Sequence, residues 1–165
     1  MKLFRMILTM AAIFLSVHSQ AQVEFHLAYP IKHTGTKAAT FPNDDMFRYV
    51  STQPYISSSE LLSARVQKSN HGYIIEINIS QLAQRKINEL VATNVKSLED
   101  RDFNRHIALG VVVDGEPKQV IQGILHPLTT DIMWWSPPIS NRSSDATALQ
   151  ETNLWAKRIN DAKKP

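Results

Sequence analysis

The chain has 165 residues, of which 43% are hydrophobic and 20% are charged, with a formal net charge of +3. A chain of this length fits a single domain with a short tail. It contains no cysteine, which excludes a disulfide framework, a cysteine nucleophile and a lipid attached to a cysteine.

The first 21 residues predict a secretory signal peptide. Lys2 and Arg5 precede an apolar run over residues 6–17, and Ser19 and Ala21 occupy the −3 and −1 positions of a cut after Ala21. The apolar run has about a dozen residues, whereas a membrane-spanning helix needs roughly 20. We therefore expect cleavage near Ala21 and a single periplasmic domain over residues 22–165, without stable membrane insertion. An uncleaved N-terminal anchor is the alternative.

The charge of the mature chain argues against nucleic acid as a partner. Removal of Lys2 and Arg5 leaves only one more basic than acidic residue. The remaining basic residues do not form the concentrated face that binds a phosphate backbone.

The first half of the mature chain is predicted to be mainly extended. Residues 23–29 alternate large apolar with polar or small side chains, as in a half-buried strand. Residues 30–45 hold two prolines and a glycine without periodicity, which predicts a loop. Residues 46–51 predict a second short strand, and a serine cluster at residues 57–59 predicts a single helical turn.

The middle of the chain predicts a hairpin followed by a helix. Two extended pieces flank the polar turn Ser69–Gly72, and the second places alternate residues from Tyr73 to Ile79 on one face, with Glu76 on the other. Ser80 is a suitable N-cap for a helix over residues 81–95 with one apolar stripe. A charged connection is expected over residues 96–105.

A second hairpin is predicted around Asp114. Residues 105–125 alternate apolar side chains on both sides of Asp114-Gly115, and Asp-Gly suits a type I′ turn, in which both central residues have positive φ. A catalytic aspartate needs a second titratable group within hydrogen-bond reach, and the spacing supplies none. We therefore interpret Asp114 as a turn residue.

The last part of the chain predicts a short strand over residues 132–135, stopped by Pro137-Pro138, and a helix over about residues 144–162. The order of these elements predicts an α+β fold. We expect a mainly antiparallel β-sheet with one central helix and a C-terminal helix packed on one face.

Residues 49–125, the predicted core of the domain, resemble the head subdomain of the large periplasmic domain of SecD/SecDF, membrane components of protein export. The resembling segments, in chain order, are ISSSELLSARV, YIIEINIS, AQRKINELVATN and HIALGVVVDGEPKQVIQGIL. The resemblance implies a part that binds polypeptide and moves, without catalytic residues. The chain departs from the family in its longer connection over residues 96–105, in the segment after Leu125, and in lacking multiple transmembrane helices.

Motifs for catalysis, metals and cofactors are absent from the sequence. No G-x-S-x-G elbow or phosphate-binding loop occurs, and the histidines after the signal peptide stand at no metal-ligand spacing. We therefore expect no enzyme, cofactor or metal. Alternative hypotheses are a metal site from His33 with Asp44 and Asp45, a hydrolase using Asp114, His106 or His126 with Asp131, and a ligand carrier with a cleft under residues 30–45.

Two adjacent tryptophans predict the functional surface. In a strand, Trp134 and Trp135 point to opposite sides, so one can pack near Trp155 while the other faces outward. Tryptophan is enriched among the residues that dominate protein interfaces. We expect Trp134, Trp135, Ile132 and Phe103 to bind a protein or unfolded polypeptide, in an exported, non-catalytic module that acts as an envelope or protein-export accessory factor.

Overall fold

The computed structural model describes residues 22–101, 106–122, 124–137 and 144–162. The predicted signal peptide and Phe103 lie outside these ranges. The described elements, in chain order, are β1 (Val23–Tyr29), β2 (Thr36–Phe41), β3 (Asp44–Ser51), a 3₁₀ turn (Ser58–Glu60), β4 (Leu61–Ser69), β5 (Gly72–Ile79), α1 (Gln81–Glu99), β6 (Ala108–Val113), β7 (Glu116–Ile121), β8 (Ile132–Trp135) and α2 (Asp145–Asp161).

The predicted α+β class is confirmed, and all strand pairings are antiparallel. The described strands form two sheets instead of one. A five-stranded sheet has the order β2-β3-β1-β6-β7, and a three-stranded sheet has the order β4-β5-β8. Strand β8 therefore lies at an edge of the smaller sheet.

The main hydrophobic core lies between the two sheets and the two helices. One face of each sheet supplies it because alternate residues along a strand point to the same side. Its buried members include Val23, Phe25, Leu109, Val111, Ile75, Ile77, Ile79, Trp135, Ile87, Leu90, Ala156 and Ile159.

A smaller apolar cluster lies on the other face of the five-stranded sheet, formed by Ala28, Ala39, Phe41, Val50, Ala108 and Val120. It explains why residues 30–45, predicted to be a loop, contain β2. Phe41 packs against Gly110 of β6, and the Asn43 side chain pairs with both backbone groups of Val120. These contacts are remote in sequence, so local composition does not reveal them.

Helix α1 extends four residues beyond its predicted end. Asn94 is fully buried, donates to the carbonyl of Ile107 and accepts from its amide, both at 2.8 Å. Ser97, one turn later, is also buried. Ile107, the residue that precedes β6, thus anchors the last turns of the helix. Neither described helix has an apolar stretch long enough to cross a membrane.

Candidate protein-interaction site

Strand β8 directs its two tryptophans to opposite faces of the three-stranded sheet. Trp135 faces the core and is 2% exposed, whereas Trp134 faces outward and is 53% exposed. The ring of Trp135 meets Phe25 and Trp155 edge-on, at centroid distances of 6.1 and 5.3 Å. Its indole N–H donates to Oε1 of Gln119 at 2.7 Å. Trp135 thus fixes β8 to the core, and Trp134 is the tryptophan that a partner can reach.

A buried carboxylate lies beside Trp134 on the outward face. Glu76 of β5 is the cross-strand partner of Trp134, and Arg65 of β4 is the partner of Glu76 on the other side. The guanidinium of Arg65 binds Oε1 of Glu76 at 2.6 Å. The Glu76 side chain is only 5% exposed, against 65% for Arg65. Because a buried carboxylate requires a charged or hydrogen-bonding partner, Arg65 keeps this face stable.

The backbone of β8 presents hydrogen-bonding groups outward. The amide of Ile79 donates to the carbonyl of Asp131 at 2.8 Å. Residues 133 and 135 lie two and four positions further along and therefore also direct their backbone groups towards β5. In an antiparallel pair, the intervening residues direct their N–H and C=O groups away from the neighbour. Those residues are Ile132 and Trp134. Among the described residues, no donor or acceptor pairs with these four groups.

The predicted interaction residues therefore occupy different places. Ile132 and Trp134 lie on the same outward face of β8 because they are two residues apart in a strand. Trp135 lies on the inner face, and Phe103 lies outside the described residues. Sequence reasoning missed Arg65 and Glu76. The predicted turn Ser69–Gly72 could have identified this pair in the sequence, because antiparallel pairing outward from the turn brings residue 65 opposite residue 76.

The residues of the hydrolase hypothesis differ in exposure, since His106 is only partly exposed and its Nδ1 is buried. Asp114 and His106 lie near opposite ends of β6, and the Asp114 carboxylate accepts from the Gln22 amide at 2.9 Å. His126 and Asp131 are exposed.

The residues of the metal hypothesis also lie apart. Asp44 is buried and accepts from Arg48 at 2.7 Å, near the β2–β3 turn, whereas the His33 ring contacts the Tyr29 ring at a centroid distance of 4.5 Å, at the other end of that hairpin. Within the described ranges, no three histidine or carboxylate side chains could hold a metal ion together.

The cleft expected under residues 30–45 is replaced by a packed strand. Phe41 of β2 is 1% exposed and lies against Gly110. The ligand-carrier hypothesis therefore loses the loop on which it depended.

No protein-family model matches the sequence, and no curated protein matches it. Among solved structures, the chain is similar to part of SecDF in a crystal structure of its super-membrane-facing form. The sequence identity is 13% and the TM-score is 0.48, over 81% of this chain and 19% of the SecDF chain. The chain thus spans about a fifth of that protein. At this identity and TM-score, the likeness concerns the fold at most.

Proposed function

We propose that this chain is a non-catalytic module that binds an extended segment of another protein by adding it as a strand beside β8. One observation carries the proposal. The backbone groups of Ile132 and Trp134 point outward at a sheet edge, and the side chain of Trp134 is exposed beside them. Edge strands of this kind pair with extended peptides, whose main chain supplies affinity and whose alternate side chains supply specificity.

The edge is short, which defines the ligand. Strand β8 has four residues, of which Ile132 and Trp134 together offer two donors and two acceptors on the outward edge. The carbonyl of Ser136 already accepts from the Gln119 side chain at 3.0 Å. A ligand of roughly five extended residues satisfies the edge, since a strand rises about 3.3 Å per residue. Its apolar side chains are expected at alternate positions, beside Ile132 and Trp134.

A binding assay with defined peptides tests this function. The probes are ten-residue peptides in which valine or isoleucine alternates with threonine or lysine, and the same peptides N-methylated at alternate backbone nitrogens. We expect the unmodified peptides to bind and methylation of the pairing nitrogens to abolish binding. Trp134→Ala is expected to weaken binding at least tenfold. Phe47→Ala is the matched control, because Phe47 is 54% exposed on the five-stranded sheet.

Two outcomes contradict the proposal. One is equal binding of methylated and unmodified peptides, and the other is equal loss in the Trp134 and Phe47 variants.

A third variant separates the contribution of the backbone edge to binding from that of the Trp134 side chain. Ile132→Pro removes an outward N–H but no bond to β5, so it should reduce binding while thermal unfolding stays cooperative.

The module is further proposed to be exported, with residues 1–21 as a cleaved signal peptide and residues 22–165 as a single periplasmic domain. The charged start, short apolar run and small residues at the cut support this proposal. Sequencing the amino terminus of the protein recovered from the periplasm should give Gln22 as the first residue. Recovery in the membrane fraction with an intact Met1 would favour the uncleaved anchor.

We also propose an accessory role in protein export, which is supported by the sequence resemblance of segments within residues 49–125 to the SecD/SecDF head. Cross-linking in the native envelope from position 134 should then capture unfolded exported chains or the export machinery. Phe103 stays a predicted partner residue, and Phe103→Ala tests it in the same peptide assay.

A further inference from the structure

Two hydrogen bonds tie the residue before β1 to the turn between β6 and β7. The backbone amide of Gln22 donates to Oδ1 of Asp114 at 2.9 Å, and the amide of Asp114 donates to the carbonyl of Gln22 at 3.0 Å. These bonds continue the antiparallel pairing of β1 with β6 by one residue, since Val23 lies opposite Val113. Gln22 is therefore held in place although it precedes the strand.

Residue 22 is also a position at which a charged amino terminus fits this fold. Gln22 is exposed, whereas Val23 is fully buried. An ammonium group at residue 22 would stay in water beside the Asp114 carboxylate. The same group at residue 23 would have to be buried, which is costly for an unpaired charge. This difference supports the cut after Ala21 that the sequence predicts.

A glutamine at the amino terminus can react with itself. Its neutral α-nitrogen attacks the side-chain Cδ, the bond between Cδ and Nε2 breaks, and ammonia leaves. The residue then closes into the lactam ring of pyroglutamate and loses the positive charge of the terminus. Only the neutral amine reacts, because the nitrogen of the ammonium form has no free electron pair. Any group that keeps this nitrogen protonated therefore slows the modification.

We propose that Gln22 is a site of pyroglutamate formation and that Asp114 protects it. The Asp114 carboxylate lies 2.9 Å from the nitrogen concerned, and a carboxylate at this distance favours the protonated form of an amine. The contact is exposed, so cyclisation is slowed only about three- to fivefold, as the free energy of a surface ion pair allows. The inference rests on the proposed cleavage after Ala21 and is independent of peptide binding at β8.

A chain made to start at Gln22, by removing an amino-terminal fusion partner without leaving extra residues, tests the proposal. The folded protein is incubated at neutral pH, and mass spectrometry of its amino-terminal peptide follows the loss of ammonia. Asp114→Gly removes the carboxylate and suits the turn, because glycine adopts the positive φ of 52° without strain. Asp45→Asn is the matched control, since Asp45 is an exposed aspartate of β3.

Folded Asp114→Gly should cyclise about three- to fivefold faster than the wild type and the Asp45→Asn control. All three chains should cyclise equally in urea that unfolds them, and added salt should narrow the difference between the folded proteins. Equal rates in folded wild type and Asp114→Gly, a faster rate in the wild type, or a difference that persists in urea would overturn the proposal. Because the chain is made with Gln22 first, these results are separate from failure of the proposed cleavage, which sequencing of the periplasmic protein detects.

Discussion

Arg65 binds the carboxylate of Glu76 at 2.6 Å, and this contact joins an exposed cation to a carboxylate that is nearly buried. Arg65, Glu76 and Trp134 are cross-strand neighbours on β4, β5 and β8, so the ion pair lies directly beside Trp134 on the outward face of the sheet. Trp134 is thus flanked by Trp135, which is packed into the core, and by the ion pair on the neighbouring strands.

Loss of this ion pair should destabilise the sheet. Arg65→Met leaves the Glu76 carboxylate buried without its cation and should lower the free energy of unfolding by about 2 kcal/mol. Glu76→Gln in the same chain should recover more than half of the loss, because a neutral amide costs less to bury. Urea unfolding at neutral pH measures both changes. Equal stability of the single and double variants would show that Glu76 does not need Arg65.

Gly110 is required by the packing of Phe41. A Cβ at position 110 would lie 2.7 Å from Cζ of Phe41, closer than real side chains approach. Gly110→Ala should therefore cost about 1–3 kcal/mol of stability, as overpacking does. Phe41→Leu combined with Gly110→Ala should cost less than the sum of the single changes, as a double-mutant cycle by urea unfolding would show. Strict additivity would mean that the two residues do not compete for the same space.

Asp114 is expected to serve stability and not peptide binding. Its φ is 52°, a conformation that Asp tolerates better than Ala, and its carboxylate binds the amide of Gln22. Asp114→Ala should therefore cost about 1 kcal/mol by thermal unfolding and leave peptide binding unchanged.

If the signal peptide is cut after Ala21, the Gln22 nitrogen becomes an ammonium group paired with the Asp114 carboxylate. Asp114→Asn should then cost more in a chain that starts at Gln22 than in one with an extra preceding residue. Reduced peptide binding in a folded Asp114→Ala protein would return Asp114 to the functional candidates.

Glu60 gives the protein a predictable response to acid. Burial would raise the pKa of Glu60, but hydrogen bonds from Lys86 and Ser57 outweigh it and hold the pKa below 4.5. The stabilisation is therefore complete above about pH 4.5, the ordinary value, and is lost as the pH falls through the lower folded value. Glu60→Gln should be less stable than the wild type by about 1–3 kcal/mol at pH 7. The difference should shrink towards pH 3 in urea titrations, and a difference independent of pH would contradict the role of Lys86.

Local patterns in the sequence predict much of this fold. Alternation places Ile75, Ile77 and Ile79 on the core side of β5, and Ser80 begins α1 as its N-cap, accepting from the Ala83 amide at 3.1 Å. The Asp114-Gly115 turn also lies where its composition predicts, with positive φ at both residues. These features depend on neighbours close in the chain.

Features that depend on distant neighbours are not predicted. Strand β2 forms because Phe41 packs on Gly110, about 70 residues away, and the helix end at Glu99 depends on Asn94 bonding Ile107. The outward position of Trp134 follows from its alternation with Trp135, but which of the two faces the core is decided by β8 pairing with β5. The sequence alone therefore identifies the strand and leaves its orientation open.

Amide hydrogen exchange of β8 tests the central claim most directly. The measurement follows residues 132 to 135 by NMR, with and without a peptide of alternating valine and threonine. Addition of a strand should slow exchange at Ile132 and Trp134, whose N–H groups point outward, and leave Met133 and Trp135 nearly unchanged, because they already bond to β5. Bound peptide without protection at residues 132 and 134, or with protection confined to another part of the chain, would contradict strand addition at this edge.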